Sequence, residues 1–215
     1  MEVNNPLYKN QGVHLISTIF TVEKGIIKVL LIKRKNNPYK DMWALTGGAL
    51  YNNEDIDSGL KREIKEKTGI ENIKFDMFNV YGRIDRSPVM RMVAIGYIGV
   101  IDSNRVSFLK ETLKTSNADW FNIDNIPKLA YDHNEILDDA LGVLKKKIYE
   151  TDILKNLFND EFTLPELQKV YETILGTKLD RRNFRKKLIN DGIIIDTNKT
   201  VVFEGKKPAK LYRFK

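Results

Sequence analysis

The 215-residue chain has no cysteine and only two histidines, and its densest apolar run, residues 93–101, is far too short to cross a bilayer. Without thiols there is no disulfide framework, no thiolate metal site and no cysteine nucleophile, a composition that suits a reducing compartment. Residues 1–12 are polar and lack the apolar centre of an export signal, so the expectation is a cytoplasmic protein with no membrane partner. Of the two histidines, His14 has no evident catalytic partner. His133 follows Leu129-Ala130-Tyr131-Asp132 at the start of a helix, where capping or packing fits better than catalysis. No internal repeat, low-complexity tract or Pro/Gly/Ser-rich linker is present.

Charge is present in quantity and is unevenly placed. The net charge is +7, yet residues 176–215 carry 12 Lys and Arg against 4 Asp and Glu, while the rest of the chain balances to within one charge. A basic end on a near-neutral body is the footprint of a phosphate-rich partner, because each neutralised phosphate releases counterions. A solubilising lysine-rich surface is the plainer explanation, and the choice depends on whether the charges fall on a docking element.

Periodicity gives a mixed α+β class. Residues 13–21 and 26–33 are β-branched and apolar and flank a turn containing Gly25, which predicts a hairpin. A loop with Pro38 and the Gly47-Gly48 pair follows. Ile56, Leu60 and Ile64 then keep helical spacing between Asp55 and Gly69, predicting an amphipathic helix over 55–68. Strands are expected at 73–82, 90–101 and 118–121, and a helix over 133–149. Beyond residue 150 the pattern changes to three short helices, the first around Leu154, Leu157 and Phe158 and the others over 164–175 and 181–190, followed by an alternating, strand-like end. The expected units are therefore 1–150 and 151–215, packed closely.

Gly48, Glu54, Arg62, Glu63, Ile64, Glu66, Gly69 and Ile70 stand in the spacing G-x5-E-x7-R-E-U-x-E-[K]-x-G-U, where U is aliphatic. Glu63 and Glu66, at i and i+3, share a helical face and can reach one hard divalent cation. Gly48, with Gly47 before it, lets backbone approach a phosphate. Arg62 is read as lying off the Glu66 face and pairing with Glu54 as an internal clamp. Alone, two glutamates on a Lys/Glu-rich helix would be ordinary surface, but eight matched positions overturn that reading. The pattern resembles the Nudix box, and Leu30-Leu31-Ile32-Lys33-Arg34 and Trp43-Ala44-Leu45-Thr46-Gly47-Gly48 resemble the approach to it, with Thr46 where a proline is frequent. Trp43 is suited to stacking on a ligand base and equally to packing.

Lys67 departs from that family, whose hydrolases usually carry a third glutamate there to help hold Mg2+ or Mn2+. At i+4 from Glu63 it shares the carboxylate face, and its charge opposes a nearby cation. Metal-assisted phosphoanhydride cleavage is expected to weaken severely, since the ion must both polarise phosphorus and make hydroxide. The pocket can survive as a sensor, with Lys67 attracting a diphosphate as a point charge. Trp43, Gly47, Gly48 and Lys67 are the expected ligand contacts; Glu63 and Glu66 are the catalytic and metal-ligating candidates if the site is active.

In the basic end, Asp180 is the candidate N-cap of a helix on which Phe184 and Leu188 face inward while Arg181/Arg185 and Arg182/Lys186 form i, i+4 rows. With 164–175 as the preceding helix and a four-residue turn between, the spacing is that of a helix-turn-helix. Arg181, Arg182, Asn183, Arg185, Lys186 and Lys187 become a recognition helix, and Lys206, Lys207 and Lys210 a basic wing on a terminal hairpin, residues 193–203 and 210–214. Taken whole, the chain resembles Nudix-related transcriptional regulators of the NrtR type, including the sugar-responsive AraR-like branch. Besides the altered box, the resemblance rests on Trp120-Phe121, residues 129–133, residues 162–168, residues 180–186 and residues 208–214. It implies a Nudix-like mixed sheet with flanking helices, then a winged helix-turn-helix. It further implies a homodimeric repressor that binds operator DNA without a cofactor and answers to a small ligand, ADP-ribose in NAD-related metabolism or a sugar in the AraR-like branch. The alternative is a Nudix hydrolase cleaving a nucleoside diphosphate derivative with Mg2+ or Mn2+, and a third possibility is a chain with both activities.

Overall fold

A strand apolar on both faces must lie inside a sheet covered on both sides. The run GVHLISTIFTVE is such a strand: it forms β1 (Gly12–Glu23), in which residues 15–21 are all buried. The computed structural model describes residues 5–215 apart from residues 8, 105, 150, 151, 159 and 206. In it β1 pairs antiparallel with β2 (Ile26–Arg34) and β4 (Thr46–Ala49), and parallel with β6 (Met92–Val100). The short β3 (Trp43–Ala44) and β7 (Thr115–Asn122) pair with β2, and β5 (Asp76–Tyr81) closes the other edge on β6, giving a seven-stranded mixed sheet.

Strand alternation sends Leu15, Ile19, Leu30 and Ile32 to one face, where α1 (Ile56–Thr68) covers them with Leu60 and Ile64. Ile16, Phe20, Val29 and Leu31 face the other way, towards Ile136, Leu137, Ala140 and Leu144 of α2 (His133–Lys147). α1 begins where Asp55 accepts the Ser58 amide and ends at Gly69 in the left-handed conformation, φ 74°.

The remaining residues form a 3-10 turn (Asp152–Leu157), β8 (Phe162–Thr163), α3 (Leu164–Leu175), α4 (Arg181–Asn190), β9 (Ile194–Val201) and β10 (Ala209–Phe214), with a small sheet ordered β8-β10-β9. Thr163 and Glu166 make a reciprocal capping box at the start of α3, and Gly176 ends it at φ 68°. Asp180 caps α4 by accepting the Asn183 amide. Among the described residues no second core is walled off for this half. Ile153, Leu154, Phe162, Leu167, Tyr171, Phe184 and Tyr212 belong to the same buried cluster as Phe20, Val29 and Leu144.

The α+β class, the hairpin, α1 to α4 and the terminal wing agree with the sequence, and four details do not. Residues 43–49, read as a loop, hold β3 and β4; strands of two and four residues carry no measurable period. The strand expected at 73–82 shrinks to Asp76–Tyr81, because Ile73 and Phe75 pack over Gly99 instead of pairing. The segment around Leu154 is a 3-10 turn where a helix was expected, and β8 was not anticipated.

Because both halves share one apolar cluster, the chain should unfold in a single transition. Leu154→Ala, at a side chain 1% exposed, should cost about 2–5 kcal/mol and move that one transition. Two separate calorimetric peaks, with only the second displaced, would show that the halves are independent.

Candidate ligand cleft and nucleic-acid interface

The carboxylates of the box are held by cations from this chain. Arg62 donates to both oxygens of Glu54 (2.8 and 2.6 Å) and to the Ala49 carbonyl (2.9 Å), forming the clamp expected from the sequence. The same guanidinium donates to Glu63 at 2.6 Å and reaches Glu66 at 3.4 Å. Arg62 therefore does not lie off the Glu66 face: the two are one turn apart and meet. Its hydrogen bonds pull the Glu54 carboxyl down to about 2.

Glu63 is buried beneath β4, and a Cβ on Gly48 would collide with its carboxylate. Gly47 lacks room for another reason, the adjacent Leu15 carbonyl on β1. Both glycines are thus needed by the protein's own packing. Lys67 turns into this space, donates to the Gly47 carbonyl and lies 3.0 Å from Glu63 Oε2. Burial works against ionisation of Glu63, but the charge of Lys67, helped by Arg62 and Lys114, outweighs it and lowers the carboxyl pKa. Burial lowers Lys67, and Glu63 opposes that shift. Lys114, which the sequence reading missed, comes from the turn before β7 to bind Glu66 at 2.5 Å and stands 3.7 Å from Glu63. It lies 48 residues from Glu66, and no local pattern marks it.

This arrangement does not fit Mg2+ or Mn2+. Glu63 and Glu66 already face three cations, and among the described residues no group of three His, Cys, Asp or Glu side chains could hold a metal ion.

Beside the box, residues 129–133 are tied down one by one. The Leu129 amide donates to Asn134 Oδ1 (2.8 Å), the Ala130 amide to the Trp43 carbonyl (2.8 Å), and the Leu45 amide to His133 Nδ1 (3.0 Å). Asp132 accepts two 2.9 Å bonds from buried Arg86. Tyr131 meets Tyr39 edge-on at 4.6 Å and lies under the Arg34 guanidinium, 5.1 Å from the ring centre. Tyr39 and Tyr131 both have left-handed backbones, φ 62° and 56°. Such strain in bulky residues is held only where the surroundings require it. Arg34, Lys67 and Arg86 all act on His14 and His133; burial first, then these charges, lower them to about 4 and about 3. Among the described residues Arg34 has no carboxylate partner and is held by the Pro38 carbonyl and the Tyr131 hydroxyl. Trp43 instead packs against Phe121, ring centres 4.6 Å apart.

On the other half, Arg181, Arg182, Asn183, Arg185, Lys186 and Lys210 line an open groove of about 1230 Å³ between α4 and β10. Phe184 and Leu188 point inward, as the helical spacing requires. Arg185 donates to the Tyr212 hydroxyl at 3.1 Å, which fixes its stem across the groove floor, and Lys210 is paired with Asp196 at 2.8 Å. Lys187 turns away from the groove: it pairs with Asp191 at 2.8 Å and lies 4.8 Å over the ring of Tyr149, just beyond α2. Lys207 is exposed on the wing outside the groove, and Lys206 lies outside the described residues.

Comparison with known proteins gives two family matches, a NUDIX domain over residues 15–140 and an NrtR DNA-binding winged helix domain over residues 154–214. The chain is 34% identical, over 91% of its length and 79% of the relative's, to the ADPR responsive transcriptional repressor NtrR of Acinetobacter baylyi. It is 38% identical to the ADP-ribose pyrophosphatase of Methanocaldococcus jannaschii, over 53% of its length and 66% of the relative's. Shewanella oneidensis NrtR in complex with a 27mer DNA superposes with a TM-score of 0.78 at 26% identity, covering 94% of this chain and 93% of that one.

The buried histidines set an acid limit. His133 titrates at about 3 in the folded chain against 6.5 when free, so below 6.5 the unfolded chain binds the extra proton. Stability is complete above that value and falls progressively with pH, and His14 adds a loss of the same sign. Each histidine should remove up to about 1.4 kcal/mol per pH unit below its free value. Urea unfolding at pH 7.5 and pH 5 measures this, and equal stabilities would show both imidazoles charged in the folded state.

Proposed function

The chain belongs to the NrtR family, a NUDIX domain followed by a DNA-binding winged helix, and from that premise we propose that it is a ligand-responsive transcriptional repressor acting on operator DNA. The observation that carries this reading is the exposed basic row on α4, together with a carboxylate box whose charges are neutralised within the chain. Residues 151–215 bind DNA through Arg181, Arg182, Asn183, Arg185 and Lys186 on the helix and Lys206, Lys207 and Lys210 on the wing. Arg and Lys there suit phosphates, while Asn183 and the arginines also suit base edges. Lys187, engaged by Asp191 and the ring of Tyr149 and outside the groove, is left out of this contact row.

Residues 1–150 bind the effector, ADP-ribose or a related nucleotide of NAD-related metabolism. A diphosphate needs an uncompensated cation and an adenine needs a ring to stack on. Arg34 supplies the first and the Tyr39/Tyr131 pair the second, beside Trp43 and the Gly47-Gly48 strand. Lys67, buried and paired, is a weaker candidate for direct contact than its sequence position suggested. The protein works in the cytoplasm as a homodimer on a near-palindromic operator, since one winged helix reads too few base pairs for genomic specificity.

Arg182→Ala/Lys186→Ala should abolish operator binding in a gel-shift assay while leaving the ADP-ribose thermal shift intact. Each lost base contact should cost about 1–3 kcal/mol, and each lost phosphate contact should lower the salt dependence by about one unit. Lys145→Ala/Lys146→Ala, on the exposed end of α2, removes equal charge elsewhere, and an equal loss of DNA binding there would reduce the interface to net charge.

ADP-ribose should bind without turnover, followed by thermal shift alongside phosphate release. Efficient hydrolysis with Mg2+, lost in Glu63→Gln/Glu66→Gln, would instead identify a hydrolase.

A further inference from the structure

A backbone carbonyl and a carboxylate converging in a buried space are the donors a hard cation takes. The Gly47 carbonyl and Glu63 form such a niche where β4 meets α1. We propose that the Lys67 ammonium is the resident cation of this niche, holding β4 to α1 and excluding divalent metal.

The geometry at Glu63 is that of an ion in a cage. Its Oε2 has no aligned hydrogen bond, yet it is buried with the Lys67 ammonium 3.0 Å away, so charge and not direction holds the contact. Its other oxygen is taken by Arg62. An ammonium is a compact point charge with three donors, able to stand where a small cation would. The lysine side chain is 11% exposed and enters the niche from α1. A metal ion would have to expel it from between the Gly47 carbonyl and a Glu63 carboxylate that is itself wedged against Gly48. Glu54, Glu63 and Glu66 are thus matched by Arg62, Lys67 and Lys114 without outside charge. This inference needs neither DNA nor nucleotide, so it stands or falls apart from the regulator reading.

Mn2+ is the probe, applied to the full chain and followed by the electron paramagnetic resonance of the free ion and by the thermal midpoint. Wild type should bind no Mn2+ in this site, and its midpoint should be the same in Mn2+ and in EDTA. Lys67→Glu should take up a single ion, raise its midpoint on doing so, and lose both effects when Glu63→Gln is added. Lys67→Met should melt lower than wild type in EDTA, and adding Glu63→Gln should recover part of that loss, because the uncompensated carboxylate is then gone. If Lys67→Glu fails to fold, the wild-type and Lys67→Met measurements decide. Wild-type binding of Mn2+ abolished by Glu63→Gln, a folded Lys67→Glu that ignores Mn2+, or a Lys67→Met midpoint equal to wild type would each overturn the proposal.

Discussion

A carboxylate placed in a protein interior must be given a counter-charge or give up its own. Glu63 is that carboxylate here, 2% exposed under a strand of two glycines, and much of the first half is arranged around it. Gly48 has no side chain because Glu63 occupies the space, and Gly47 turns its carbonyl towards Lys67. Arg62 reaches from Glu63 to Glu54 and the Ala49 carbonyl, which fastens the loop before α1 to the helix. Lys114 adds the turn before β7 to the same cluster. The set is a structural device in this chain: it keeps the form of a metal box, with its carboxylates already matched by internal cations.

The neighbouring segment follows a similar rule with different chemistry. Asp132 and Arg86 are both buried and satisfy each other in a two-bond fork, the geometry in which a desolvated pair is best tolerated. His133 stays neutral so that its ring nitrogen can accept the Leu45 amide. With these groups fixed, Tyr131 is held in a left-handed conformation against Tyr39 and Arg34. The strained aromatic pair therefore rests on the rigidity of the residues around it, which is how strain persists at sites that meet ligands.

The two halves are joined by packing. The cluster that starts under β1 and β2 continues through Leu144, Ile153 and Leu154 into Tyr171, Phe184 and Tyr212, so α4 stands on the same core as α2. Tyr149 packs on Tyr171 and carries Lys187 over its ring, joining the end of α2 to the back of α4 while the front of α4 stays open.

Much of this was legible in the sequence wherever a pattern is local. Helical spacing with Asp55, Gly69, Asp180 and Gly176 at the ends located α1, α3 and α4, because caps and periodicity act within a few residues. The box spacing disclosed the Arg62–Glu54 clamp, and the charge count singled out the end that carries the groove. The sequence could not disclose what depends on distant residues meeting. Lys114 and Arg86 join the site from separate loops and Arg34 from the end of β2, the direction of Lys67 depends on the space left by β4, and Lys187 lies over the ring of Tyr149. Local chemistry thus determined the elements and the class of site. Only the tertiary structure decided which charges pair with one another, because burial and counter-charge are properties of a place in the fold and not of a residue in the chain.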